Sequence, residues 1–294
     1  MHRRTHKRRS APWILLALPL AMGSAQDQGP AREIGRTTER EINVVLSSSF
    51  GTVVLRKGET EKILFVLPEG SESVPLTNVE YSVRNRVGYA DIRLGQSEDE
   101  SDGGKGSFNL GNLNKKGKWD LRFSAGVPVS FDIELGMGRG DFNLTGLQVR
   151  DFRLSSGASD VTLAFDEPNT TRIENLTIES GVSKFEGRNL GNANFKRFRF
   201  QGGVGSYTLD FSGKLPAEVE VDVEVGMGAI TMIVPQAVGA RISYEKSWVS
   251  SIDVDQDFSS SGDNQYLSEN YSSAQSRMNI RINAGFGSVK VRRP

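Results

Sequence analysis

The chain has 294 residues, 36 basic and 36 acidic side chains, no cysteine and two histidines. The lack of cysteine excludes disulfides, catalytic thiolates and sulfur-bound metals. Both histidines, His2 and His6, sit at the N-terminus, so the rest of the chain has no imidazole for Ser-His-Asp or Cys-His catalysis or for a typical zinc site.

Residues 1–25 read as a secretory signal peptide. Arg3, Arg4, Lys7, Arg8 and Arg9 form a basic head, an apolar run extends from Trp13 to Met22, and Gly23-Ser24-Ala25 supplies the small residues a signal peptidase needs. The run is too short to span a bilayer. Ser10-Ala11-Pro12 follows the arginine pair where a twin-arginine signal wants bulky apolar residues, and no cysteine is available for a lipid anchor, so the expected route is Sec export to the periplasm or cell surface. Loss of the five basic residues leaves 31 basic against 36 acidic side chains, a net charge of −5, which argues against a nucleic-acid partner. No later apolar stretch approaches the length of a membrane span.

Residues 26–38 are expected to be a flexible segment and 39–118 an irregular N-terminal β region. Within the latter, "SSSFGTVVLRKG" (47–58) and "RVGYADIRLG" (86–95) resemble the units described next, while the acidic, Gly-rich stretch 96–106 reads as an exposed loop.

From residue 119 to 294 the pattern is regular. Val219, Val221, Val223 and Val225 alternate with Glu218, Glu220, Asp222 and Glu224, the period of a strand with one buried face. Gly136, Gly157, Gly181, Gly203 and Gly226 mark a repeat with steps of 21, 24, 22 and 23 residues. Three residues before the marks stand Ile133, Leu154, Ile178, Phe200 and Val223; five before stand Phe131, Phe152, Leu176, Phe198 and Val221. Beyond the marks run Phe142, Val161, Phe185, Tyr207 and Ile230, then Leu144, Leu163, Gly187, Leu209 and Met232, provided the first unit carries two extra residues around Gly138. The reading is an all-β fold, a single-stranded β-solenoid whose rungs of ~22 residues each hold two strands joined at a glycine corner free to take positive φ. One rung orders too many residues for the apolar surface it buries, so stacking must stabilise it. Gly285 is expected to be the corner of the closing rung, "SWVSSIDV" (247–254) a worn unit, and 256–276 a polar insertion.

The residues between the apolar columns give a register. Parallel stacking would set Asp132 over Arg153, Arg199 over Asp222 and Arg197 over Glu220, opposite charges across adjacent strands.

Several stretches could carry chemistry. Gly226-Met227-Gly228 resembles a phosphate cradle, but a strand rather than a helix N-terminus follows it. Asp253-Val254-Asp255-Gln256-Asp257 opens like a calcium loop, yet Phe258 and Asn264 occupy the positions that need glycine and glutamate, leaving a looser site on Asp255, Asp257 and Asp263 as the alternative to a solvated edge. The comb Glu218, Glu220, Asp222 and Glu224 could pair carboxylates for glycan hydrolysis, but Arg197 and Arg199 on the neighbouring rung point to a charge ladder. In "FKRFRF" (195–200) Phe198 and Phe200 already fill core columns; Trp119, Trp248 and Tyr266, outside those columns, are candidates for exposed ligand contacts.

The phrases "SFDIELGMGRGDFNLTGLQVRDFRLSSGASDVTLAFDEPN", "LGNANFKRFRFQGGVGSYTLDFSG" and "INAGFGSVKV" resemble the bacterial toast-rack domains, which include the C-terminal domain of LiaF-like, cell-wall-active antibiotic response proteins and exported adhesin-like relatives. The likeness runs from about residue 119 to 291 and weakens over 39–95. It implies a β-rack without catalytic residues. In LiaF-like proteins that domain follows transmembrane helices and restrains an envelope-stress sensor kinase, whereas this chain carries a signal-like N-terminus. The expected function is therefore a non-enzymatic exported scaffold or adhesin-like binding module, without cofactor or metal, whose partner is an envelope protein or polysaccharide. A soluble regulator of an envelope-stress sensor is the alternative, and a carboxylate-dependent glycan-active enzyme is the third reading.

Overall fold

The computed structural model describes residues 31–69, 77–95, 117–245 and 250–294. The signal-like segment, the loop 96–106 and Trp248 lie outside the described residues. Seven long strands form the body: β2 (Glu41–Lys57), β7 (Pro128–Asn143), β8 (Gln148–Ala164), β9 (Ile173–Arg188), β10 (Phe195–Asp210), β11 (Glu218–Ile233) and β16 (Ser276–Arg292). They pair in parallel in the order β2-β7-β8-β9-β10-β11-β16 within one 16-stranded sheet.

The fold is all-β, but each rung is a single strand running through its glycine corner, where the repeat led us to expect two. Its halves face one another across the core: Phe200, before the corner, packs against Tyr207, beyond it, with ring centroids 5.0 Å apart, and Phe198 meets Phe211 at 5.4 Å. Period-two alternation supplies both halves with inward Val, Ile, Leu and Phe, and stacking merges them into one continuous core.

The corner glycines have a different cause from the one inferred. Gly136, Gly157, Gly181, Gly203, Gly226 and Gly285 are absent from the positive-φ positions. Their constraint is clearance. A Cβ at Gly181 would lie 2.8 Å from the carbonyl oxygen of Gly157, one at Gly203 2.7 Å from that of Gly181, and one at Gly226 2.9 Å from that of Gly203. Positive φ occurs two residues later, at Gly51, Gly138, Gly228 and Gly287.

The β7 rung, where the column alignment predicts two extra residues around Gly138, carries no insertion. Met137 pairs with Ala158 and Phe142 with Leu163 without interruption, which puts Gly140 opposite Val161. The Phe142 ring fills the space at Gly140, where a Cβ would lie 2.9 Å from its ring carbons. The same substitution explains Gly187, where Leu190 occupies the empty position, its Cδ1 2.8 Å from a would-be Cβ.

The ends depart from simple chain order. At the N-terminal end β5 (Val87–Leu94) pairs with the first half of β2 and β6 (Lys118–Phe123) with its second half, together making one split rung. At the other end β12 (Val238–Glu245) and β13 (Ser250–Val254) pair with the two halves of β16 in the same way. Gly285 thus belongs to a rung tucked inside the stack, with the split rung beyond it. Antiparallel strands continue the sheet past the split rungs: β4 (Thr77–Arg84) on β5, β3 (Lys62–Glu69) on β6 with β1 (Arg32–Gly35) beyond, then β15 (Gln265–Ser268) on β12 with β14 (Phe258–Ser260) beyond. A parallel stack with bare ends would offer unpaired strand edges, and these additions cover them.

Buried polar groups tie the rungs together. The Asn169 amide donates to the carbonyls of Val149 (2.7 Å), Thr171 (2.7 Å) and Ala193 (3.1 Å) and accepts from the Val149 N–H (3.0 Å). Asp120, 1% exposed, accepts from Arg56 at 2.9 and 2.6 Å and from Arg122 at 2.9 and 2.7 Å, joining β6 to β2. Burial pushes the Asp120 pKa up, but the hydrogen bonds and charges of the two arginines outweigh it and leave the carboxyl below its ordinary 3.8.

Two predictions follow from this packing. Gly181→Ala should destabilise the fold by about 1–3 kcal/mol through its contact with the Gly157 carbonyl, while Gly35→Ala, with nothing within 4 Å of its Cβ, leaves the urea midpoint unchanged. For Asp120 the folded pKa is the lower one, so its stabilisation is complete above the unfolded value near 3.8 and is lost as pH falls through the folded value. Asp120→Asn should cost roughly 1.5 kcal/mol at pH 7, the lower end for hydrogen bonds to charged groups because both arginines are partly exposed. Urea unfolding should show that difference shrinking below pH 4.

Candidate functional site

An open groove of about 320 Å³ lies where the β14–β15 hairpin continues the sheet beyond β12, the neighbour of β16. β10 brings Arg199 and Gln201 to it, β11 brings Asp222 and Glu224, β16 brings Arg281 and Asn283, and the hairpin contributes Asp263, Asn264 and Gln265. The strand residues are the outward members of the alternation, so the same period that builds the core aims them into the groove.

The backbone register sets Arg197 opposite Glu220, Arg199 opposite Asp222 and Asp132 opposite Arg153. The side chains make a different set of pairs. Arg197 meets Glu220 at 2.9 Å, but Asp222 is held by Arg281 of β16 at 2.6 Å, and Arg153 reaches forward to Glu179 of β9 at 3.0 Å. Arg199 instead lines the groove. Long side chains can satisfy either neighbouring rung, so register alone does not choose the partner.

The acidic comb is fully engaged. Glu218 accepts from Asn279 (3.0 Å), Glu220 from Arg197 (3.0 Å), Asp222 from Arg281 (2.6 Å) and Glu224 from Gln201 (3.3 Å). Each carboxylate thus closes a bridge to an adjacent rung, the arrangement of a charge ladder.

The aspartates of the calcium-like stretch also have partners of their own. Asp253 and Asp255 pair with Arg292, at 2.5 and 3.5 Å, and Asp255 accepts the Arg293 N–H at 2.7 Å. Asp257 forms an ion pair with Arg293. No group of three or more candidate ligands that could hold a metal occurs among the described residues. Asp253, Asp255 and Asp257 are thus held in an arginine lock, while Asp263 lines the groove. The Arg293 side chain, 2% exposed, also donates to the carbonyls of Val238 (3.0 Å) and Gln236 (2.8 Å) and lies over the Phe258 ring at 5.3 Å. Nothing local in the sequence marks Arg293 for burial, since Arg292 beside it is equally basic and its ion-pair and carbonyl partners lie 36 to 57 residues away.

Trp119 is likewise not an exposed contact. It is fully buried at the N-terminal corner and donates to Thr77 Oγ1 at 2.9 Å. Tyr266 packs partly against the core beside the groove. The asparagines of "NLGNANF" (189–195) also act structurally: Asn192 donates to the Phe165 carbonyl (2.9 Å) and accepts from the Lys214 N–H (2.9 Å), while Asn189 and Asn194 adopt positive φ around a short 3-10 turn. No helix among the described residues is long and apolar enough to cross a membrane.

Residues 188–291 match the C-terminal domain of the cell wall-active antibiotics response protein LiaF. Solved structures similar to this chain include a candidate cell adhesion protein from Clostridium sporogenes (19% identity, TM-score 0.45, covering 91% of this chain and 100% of that one). A candidate adhesin from Bacteroides fragilis (14%, 0.36, 90% and 96%) and another from Parabacteroides merdae (9%, 0.25, 90% and 96%) are also similar. No curated protein matches the sequence. Residues 23–186 match the N-terminal domain of toast_rack, and the boundary between the two matched regions falls at the end of β9, across which the ladder to β10 continues unbroken. The chain belongs to the toast-rack family.

Proposed function

We propose that this chain is a non-enzymatic binding module, exported to the cell envelope, whose rack presents the groove beside the β14–β15 hairpin to an envelope polysaccharide or protein. The observation that carries this reading is the groove's composition. Gln201, Asn264, Gln265 and Asn283 offer amides that both donate and accept, beside Arg199, Glu224 and the Asp222–Arg281 pair. Such a lining suits a ligand rich in hydroxyl or peptide groups. Export is supported by the basic head, apolar run and small-residue site of residues 1–25. The engagement of every comb carboxylate by a neighbouring rung speaks against the glycan-cleaving alternative.

A second reading rests on the match of residues 188–291 to the LiaF C-terminal domain: a soluble regulator of an envelope-stress sensor. Both make the faces of the rack the working surface, and they differ in the partner.

Calorimetric titration of the full chain with extracted envelope polysaccharides, alongside affinity capture from envelope extracts, separates them. The binding module should take up a polysaccharide or an adhesive surface protein. Arg281→Ala with Asn283→Ala should weaken that binding by about tenfold without lowering the melting temperature by more than a few degrees. Capture of a sensor kinase as the main partner transfers the assignment to the regulatory reading, and binding that is indifferent to the double variant removes the groove from it.

A further inference from the structure

One column of the repeat is apolar without being buried. The residue after each corner position is Phe50, Met137, Ala158, Val182, Val204, Met227 or Phe286, and these seven stand opposite one another in unbroken register from β2 to β16. The six larger ones are 41% to 66% exposed. With rungs ~4.8 Å apart they form a ridge about 29 Å long. Contiguous exposed apolar surface of this kind marks a contact site.

Beside the ridge runs an open trough of about 680 Å³. Its floor is the corner glycines and its far wall is the column Glu134, Ser155, Glu179, Gln201 and Glu224. On the ridge's other side the next outward column reads Arg139, Asp160, Lys184, Ser206 and Ala229.

We propose that the ridge and trough pair this chain with a second copy of itself, about a two-fold axis parallel to the stack. Three observations converge on that occupant. First, the ridge repeats at the inter-strand spacing, and a second copy has the identical repeat, so all seven rungs match without drift; a helix, advancing 1.5 Å per residue, falls out of step over that length. Second, the surface is self-complementary. A two-fold along the stack lays each ridge in the other's trough, where the floor is glycine in six of the seven rungs and the small Ser49 in the β2 rung, and isologous contacts of this kind are the commonest in oligomers. Third, the charges agree. The axis keeps each rung level with its own copy, so Glu134 meets the second copy's Arg139 and Glu179 meets the second copy's Lys184, while Ser155, Gln201 and Glu224 meet Asp160, Ser206 and Ala229. No like charges oppose one another. A two-fold perpendicular to the stack sets ridge on ridge and the glutamate column against itself. The glutamate wall also disfavours an anionic lipid surface.

The test is the association state of the full chain by sedimentation equilibrium across the micromolar range. The wild type should be a dimer. Val182→Lys or Met227→Lys, both exposed positions, should raise its dissociation constant by about tenfold or more, with circular dichroism and melting temperature unchanged. Glu134 makes no ion pair among the described residues, whereas Arg139 pairs with Asp160 of its own chain at 3.5 Å, so the exchange of Glu134 with Arg139 is made in an Asp160→Asn background that removes that pair. Glu134→Lys and Arg139→Glu should each weaken the dimer several-fold, and the two together in one chain should restore it to within about twofold. A wild type that stays monomeric, a double variant as weak as the two singles combined, or flotation of a monomer with lipid vesicles each overturns the proposal. None of these outcomes depends on what the groove binds.

Discussion

The constraint on which the rest of the structure depends is the clearance between consecutive rungs at the corner. The carbonyl oxygen of one corner residue occupies the volume the next rung's Cβ would need, with separations of 2.5 to 2.9 Å from Ser49 through Gly285. Residues with side chains could stack along the straight halves, and they do. At the corner they would push adjacent rungs apart, and the ladders on both sides of the bend would lose register together. A column of glycine is therefore a condition for parallel stacking here. It also creates the trough, since a strip without side chains between two columns that have them is a depression.

The ends obey a second constraint, that a stack of parallel strands cannot stop cleanly. The chain answers it alike at both ends, with a whole rung placed inside and a split rung outside it, followed by antiparallel strands. A split rung can bend without a corner glycine because its halves need not be covalently continuous. Each end is then fixed by a buried charge held by several partners. Asp120 between Arg56 and Arg122 serves the first end, and Arg293 with Asp257 and the carbonyls of Val238 and Gln236 serves the other. Removing one member from such a cluster leaves the remaining groups without compensation, which is why these sites should matter more than the exposed pairs along the faces.

What the sequence revealed follows the range of each interaction. The inward columns were legible because strand alternation imposes them locally at every rung, from Phe131 to Val223. The register of Gly140 was not, because its partner is a ring leaning back from Phe142, and a gap filled from a neighbouring position looks like an insertion when columns are aligned by residue type. The same blindness hid Leu190 behind Gly187. The split rungs were only partly visible: 86–95 and 247–254 resemble worn units, but nothing local shows that β5 pairs with half of β2 or that β16 enters between β11 and β12. Ion-pair partners were the least legible, since Arg153 and Asp222 each had a suitable charge on either side and side-chain reach decided between them.

The groove and the ridge stand differently in relation to the fold. Polar residues in the groove are what an outward strand position would carry in any case, so its composition supports a binding role through its arrangement alone. The ridge is harder to reduce to folding. Met137, Val182, Val204 and Met227 point away from the core at a position where the backbone needs only that the two flanking residues be small. A serine or lysine there would satisfy the same geometry and would improve solubility. The column nevertheless carries an apolar residue in seven successive rungs, and the gain that accounts for it must come from outside the single chain.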